Sequence, residues 1–226
     1  MSAGFAGFSP EALAFLDELH RHDKQWFDAN RDVYDTGLAA PAKAFVEPVA
    51  EALRAAISHG IEGVARVNGS IAPINNDVRF SADKTPYRDY LMFKWWEGPD
   101  KKLAPTLMVR LTSGEVGFAS GVALPGGVID RWRELVAADA TGSQLAAAIN
   151  ALVGATGAEV VGADYKRVPK PYPADHPRED LLRHKWLQIR WAQPLPDEAT
   201  SAAFADWCGD RLSLAGDLHR WLVANL

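Results

Sequence analysis

The sequence predicts an α+β fold: a single domain whose central, largely antiparallel sheet is flanked by N-terminal and C-terminal helices. Three observations predict it. Apolar residues recur at three- to four-residue spacing up to about residue 60. Between residues 65 and 123 the period shortens towards two, with Gly and Pro as punctuation. The connections between the strand-like runs there are too short for crossover helices, so the runs pair antiparallel rather than in a doubly wound parallel sheet.

The elements follow in order. Ser9-Pro10-Glu11 reads as N-cap, first helical position and acidic first turn, followed by the stripe Leu13, Leu16, Leu19. Asp23 caps a second helix carrying Trp26, Phe27, Asn30 and Tyr34, and Pro41 opens a third that closes near His59-Gly60. Residues 9–60 are thus helical and 65–123 strand-rich, with strands over 91–97, 105–111 and 115–122. Gly98-Pro99-Asp100 and Ser113-Gly114 supply the turns. Helices return at 127–152, within which 127–138 and 143–152 are separate. A basic Pro-rich loop and helix occupy 164–185, a last strand 186–191 and C-terminal helices 197–226.

Composition narrows the function. The 226 residues can bury roughly 70% of their unfolded surface, so the core needs no staples. The one cysteine, Cys208, permits neither an internal disulfide nor a thiolate zinc site. The net charge of −5 argues against a nucleic-acid coat or a membrane-surface binder. No apolar run is long enough for a transmembrane helix and the N-terminus shows no export signal, so a cytoplasmic location is expected.

Standard chemistry-bearing motifs are absent. There is no phosphate-cradling glycine loop, no H-E-x-x-H and no nucleophile elbow. His20-Arg21-His22 reads as a polar helix end, since residues two apart do not share a helix face. No cofactor and no metal are expected.

Two segments stand out. If 75–81 is extended, Asn75, Asp77, Arg79 and Ser81 share one face while Val78 and Phe80 share the other. The chain then turns, returning Lys84 and Tyr87 to the same neighbourhood. A guanidinium, an ammonium and a phenol suit an anion. The alternative is a structural network in which Asp77 and Asp83 neutralise Arg79 and Lys84.

The second segment runs from Tyr165 to Pro177. Pro169, Pro171 and Pro173 predict a stiff, polyproline-like stretch bearing Lys166, Arg167 and Lys170. A helix should follow, with Asp175 or His176 as cap, Pro177 first and Arg183-His184-Lys185 in the last turn. From Asp164 to Arg190, seven Lys/Arg face four Asp/Glu, a local +3 that leaves −8 for the remainder.

These segments resemble a bacterial family known as domain of unknown function 2461, whose pattern is R-x-x-R-D-x-R-F-x-x-x-K-x-P-Y. Asp77, Arg79, Phe80, Lys84, Pro86 and Tyr87 match it, while Pro73 and Asn76 stand where the family has arginines. Trp26-Phe27, Asn30 and Tyr34 resemble its N-terminal W-F-x-x-N-x-x-x-Y element. Lys166 to Pro169, Asp175 to Pro177 and Asp180 to Leu182 resemble its C-terminal one. The resemblance implies one domain in which the three elements meet around one site. It implies no activity.

The expected function is binding or turnover of a small phosphate- or carboxylate-bearing ligand. Arg79, Lys84, Arg167 and Lys170 would hold the anion. Tyr87 would orient it or donate a proton, His176 would be general acid/base, and Asp77 would orient Arg79 or act as base. A non-enzymatic protein- or nucleic-acid-binding module using Trp95 or Trp96 or the Pro-rich loop is the alternative, nucleic acid being the less favoured partner. A hydrolase holding a metal with Asp77, Asp83 and His176 lacks recurrent ligand spacing. Whether the protein is an enzyme and how it assembles are left open.

Overall fold

The computed structural model describes residues 4–79 and 84–226. It is α+β, with one five-stranded sheet and helices before and after it. Helix α1 (Pro10–Leu19) starts as its sequence dictates: the Ser9 hydroxyl accepts the Ala12 N–H, and Pro10 occupies the first turn. In α2 (Lys24–Ala29) the Asp23 carboxylate accepts the Trp26 N–H at 2.9 Å. Helix α3 (Arg31–Tyr34) runs through a five-residue π-turn at Asp35–Ala39 into α4 (Ala40–Ala56). Pro41 therefore lies just inside a continuing helical path instead of opening a separate helix, because the helix is already propagating when it is reached.

The strands β1 (Leu91–Trp96), β2 (Thr106–Leu111) and β3 (Glu115–Ala123) form an antiparallel meander. Helices α5 (Gly127–Ala137) and α6 (Asp139–Thr156) follow, then β4 (Glu159–Val161), the short α7 (Glu179–Leu182) and β5 (Trp186–Pro194). Helices α8 (Phe204–Ser213) and α9 (Gly216–Asn225) end the chain. The sheet order is β1-β2-β3-β5-β4, and every pairing is antiparallel.

Alternation in the strands decides where the core sits. Leu91, Phe93 and Trp95, with Leu107, Val109 and Leu111, point to one face, as do Val116, Phe118 and Val122, with Leu187, Ile189 and Trp191. Helices α4, α6, α8 and α9 pack against the sheet and bury this face. The Trp95 indole donates to the Val46 carbonyl at 3.0 Å, tying α4 to β1. Trp95 and Trp96 are both buried, so neither forms an aromatic contact surface. No described helix is long and apolar enough to cross a membrane.

Three local expectations are corrected. The Pro-rich stretch folds into consecutive turns, Tyr172 N–H to Pro169 O and His176 N–H to Pro173 O, rather than a polyproline-like rod. The helix after it is a single turn that begins at Glu179, not at Pro177, and Arg183 to Lys185 lie beyond it, since the chain must return at once to β5. The second helix of the 127–152 pair is longer than 143–152, spanning 139–156, and β4 went unpredicted because three residues carry too little alternation.

A candidate anion cavity and an open sheet face

The N-terminal element and the Asp77–Tyr87 segment meet, through packing. The Asp23 cap fixes the start of α2 and so places Phe27, which is buried and stacks on Tyr87 with 4.6 Å between ring centroids. Tyr34 meets Phe27 edge-on at 5.2 Å, and the Arg31 guanidinium lies 5.2 Å from the same ring. Asn30 spends its amide on the Trp26 carbonyl. Burial, and then the charge of Asp28, hold the Tyr87 phenol above the ordinary tyrosine range.

Beyond this aromatic joint, residues 74–76 and 86–88 pair as a short antiparallel arm. The Asn76 N–H donates to Pro86 O, the Arg88 N–H to Ile74 O, and Asn75 bridges Tyr87. The Asn76 side-chain amide donates to Thr85 O at 3.0 Å and Tyr87 O at 3.2 Å, while its oxygen accepts from Arg88 Nε at 3.3 Å. Asn76 thus ties its strand to two carbonyls of residues 85–87 and also accepts from Arg88, which an arginine, having no acceptor, could not do. Asn76, Thr85, Tyr87, Arg88, Asp89, Tyr90 and His20 line a cavity of about 190 Å³. His20 Nδ1 is buried with no hydrogen-bond partner among the described residues.

Arg79 forms a two-pronged pair with Asp77, Nε to Oδ1 at 2.9 Å and Nη2 to Oδ2 at 2.7 Å. The guanidinium lowers the Asp77 carboxyl's pKa, and the carboxylate raises that of Arg79. Both side chains are exposed, 61% for Asp77 and 77% for Arg79, so water screens the pair. The Lys84 ammonium donates to the Val78 carbonyl at 2.8 Å. The predicted extended face over 75–81 is only partly testable, because Phe80, Ser81, Ala82 and Asp83 lie outside the described residues.

The basic loop is anchored elsewhere. Arg178 donates to Val136 O at 2.6 Å and Ala137 O at 3.1 Å, and pairs with Asp139 at the α5–α6 junction. His176 accepts the Arg178 N–H at Nδ1, 3.0 Å away, and so acts as a turn residue. Arg167 and Lys170 are exposed. No hydrogen bond or ion pair among the described residues joins this loop to the Asp77–Tyr87 arm. No group of three or more described His, Cys, Asp or Glu is placed to hold a metal.

Sequence reading missed the sheet's other face. Met92 and Lys94 of β1, Met108 and Arg110 of β2, Gly117, Ala119 and Gly121 of β3, and Gln188 and Arg190 of β5 all point away from the helices. A trough of about 530 Å³ runs over Met92, Met108, Gly117, Ala119, Gln188 and Arg190. The signal was present in the alternation Val116, Phe118, Val122 against Gly117, Ala119, Gly121, which announces one packed and one stripped face.

The comparisons with known proteins agree with the sequence resemblance. The family model described as a conserved hypothetical protein (DUF2461) matches residues 11–221, and no curated protein matches. The match covers nearly all of the chain, from the first helix through the sheet to the last, and the chain belongs to the DUF2461 family.

Proposed function

We propose that this protein binds a small phosphate- or carboxylate-bearing ligand at the cavity beside the Asp77–Tyr87 arm. The observation that carries this reading is the lining of that cavity: a guanidinium from Arg88 beside Asp89 and Tyr90, Tyr87 in the wall, and His20 with its buried Nδ1 unpartnered among the described residues. Arg88 uses Nε on Asn76, and its terminal nitrogens make no hydrogen bond among the described residues. That leaves a fork able to meet an oxyanion. In this reading Arg88 supplies the charge that the family's arginine position, here Asn76, does not. Arg79 and Lys84 share the Asp77–Tyr87 segment with Asp77 and Asp83, so its formal charge sums to zero and the cation offered to the ligand is Arg88. Tyr87 orients the ligand from the cavity wall. Arg167, Lys170 and His176 take no direct part, because their loop is held on α5 and α6.

Calorimetric titration with inorganic phosphate and with acetate tests the reading. Arg88→Gln should weaken binding of the preferred anion by about tenfold or more, the scale of a charge-assisted hydrogen bond, while the thermal midpoint changes little. Equal affinity in the folded Arg88→Gln protein would overturn it.

A further inference from the structure

The outer face of an antiparallel sheet that meets water is normally polar. Here its centre is not. Met92, Met108, Gly117, Ala119 and Ala192 form an apolar strip in the trough, bordered by Arg110, Glu115, Glu159, Gln188 and Arg190. A second lobe of about 280 Å³ continues along β3 past Met108, Gly121 and Ala123 to Lys94, Lys102 and Trp186. The two lobes share Met108 and Gln188 and so lie end to end along β3, a line that we take as one channel. From Gly117 to Ala123 that channel is roughly 20 Å long at ~3.3 Å per residue.

Its ends differ in charge. At the Gly117 end the cations are already compensated: Arg190 pairs with Glu159 at 2.8 Å, and Arg110 lies 3.8 Å from Asp89 and 4.0 Å from Glu115. At the other end the lining holds Lys94 and Lys102 and no carboxylate. The Lys94 ammonium donates to the Lys101 carbonyl at 2.8 Å. Burial, followed by the charge of Lys101, pulls its pKa below the ordinary lysine range against the opposing charge of Asp100, and a bound anion would raise it. Trp186, 38% exposed, closes the same end with its indole N–H held by Asp164.

We infer that this channel is a second binding site, for an elongated apolar molecule with one terminal carboxylate, its head at Lys94 and Lys102 and its body along the Gly117–Ala119–Gly121 stripe. An apolar body removes Met92 and Met108 from water, and the head meets Lys94 and Lys102, which form no side-chain ion pair among the described residues although Asp100 lies near Lys94. Gly117 leaves depth that a larger side chain would fill, whereas at Gly121 the Leu187 carbonyl already closes the space.

The test is displacement of anilinonaphthalene sulfonate fluorescence by decanoate and, in parallel, by uncharged decanol. Inorganic phosphate is kept in excess, so that an anion site at the Asp77–Tyr87 arm is occupied throughout and its existence does not affect the result. Decanoate should displace the dye from the unmodified protein and bind more tightly than decanol. Ala119→Phe, which fills the channel, should weaken decanoate about tenfold or more. Met108→Glu, whose side chain is outside the core, should do the same and serves if Ala119→Phe fails to fold. Lys102→Glu should weaken decanoate about three- to fivefold and leave decanol unchanged, as expected for an exposed charge. Decanol binding as tightly as decanoate, or full decanoate affinity in folded Met108→Glu, would overturn the inference. So would the absence of displacement by either compound.

Discussion

The two faces of the sheet come from the same strands and carry opposite designs. On the helix-covered face, Phe93, Trp95, Leu107 and Val109 are fully buried, and Phe45 of α4 packs on Phe93 at 4.9 Å. On the other face β3 offers Gly117, Ala119 and Gly121, and nothing from the described helices covers them. One face contributes stability through close packing. The other gives up side-chain volume, and the space it leaves is the largest cavity described above. The difference teaches that an alternating strand can encode a site as well as a core, by what it omits on alternate positions.

The largest effect should separate the faces directly. Phe93→Ala should cost about 3–5 kcal/mol in urea unfolding, while Met108→Ala, one strand away on the open face, should cost under ~1 kcal/mol. Comparable losses would mean that the outer face is packed after all. The next test lies within the small stripe. A Cβ on Gly121 would meet the Leu187 carbonyl oxygen at 2.1 Å, whereas one on Gly117 finds nothing nearer than 3.5 Å. Gly121→Ala should therefore cost about 1–3 kcal/mol, and Gly117→Ala less than ~0.5 kcal/mol. If both are tolerated, the tight strand approach at Gly121 is wrong.

A smaller effect distinguishes the core side by pH. Burial is the main cause that lowers the pKa of both His184 and His219 below the ordinary 6.5, with Glu97 opposing it at His219. The unfolded chain then takes up protons first on acidification. The stability that comes from keeping these imidazoles neutral is complete above 6.5 and is lost as the pH falls through their lowered folded values. Urea midpoints at about pH 7.5 and about pH 5 should fall with acid, and a His184→Gln/His219→Gln protein should show a shallower fall. A midpoint that rises on acidification contradicts this. The smallest effect belongs to the exposed arm. Asp77→Asn should leave the thermal midpoint unchanged, because its pair with Arg79 stands in water. A clear drop would show that the arm is a structural element of the fold.

Much of the fold was legible because its signals are local. Ser9, Pro10 and Asp23 announce helix starts by backbone chemistry acting over three residues. The meander strands announce themselves by alternation. The site was less legible. Tyr87 and Phe27 were both singled out, yet their stacking depends on α2 lying against the arm, which no short-range pattern states. Arg88 was passed over because it falls just outside the family pattern, and His20 was read as part of a polar helix end. The Pro-rich loop was read as a rod because proline fixes φ without fixing the turns that follow.

The sequence by itself determined the α+β class, the helix caps, the strands of the meander and the family. Each of these rests on spacing or on contacts a few residues apart. Only the tertiary structure decided that β5 enters between β3 and β4, that Asn76 holds the arm closed, and that one face of the sheet stays bare. Those outcomes depend on which distant surfaces pack together, and burial by the helices leaves room on one side of the sheet alone.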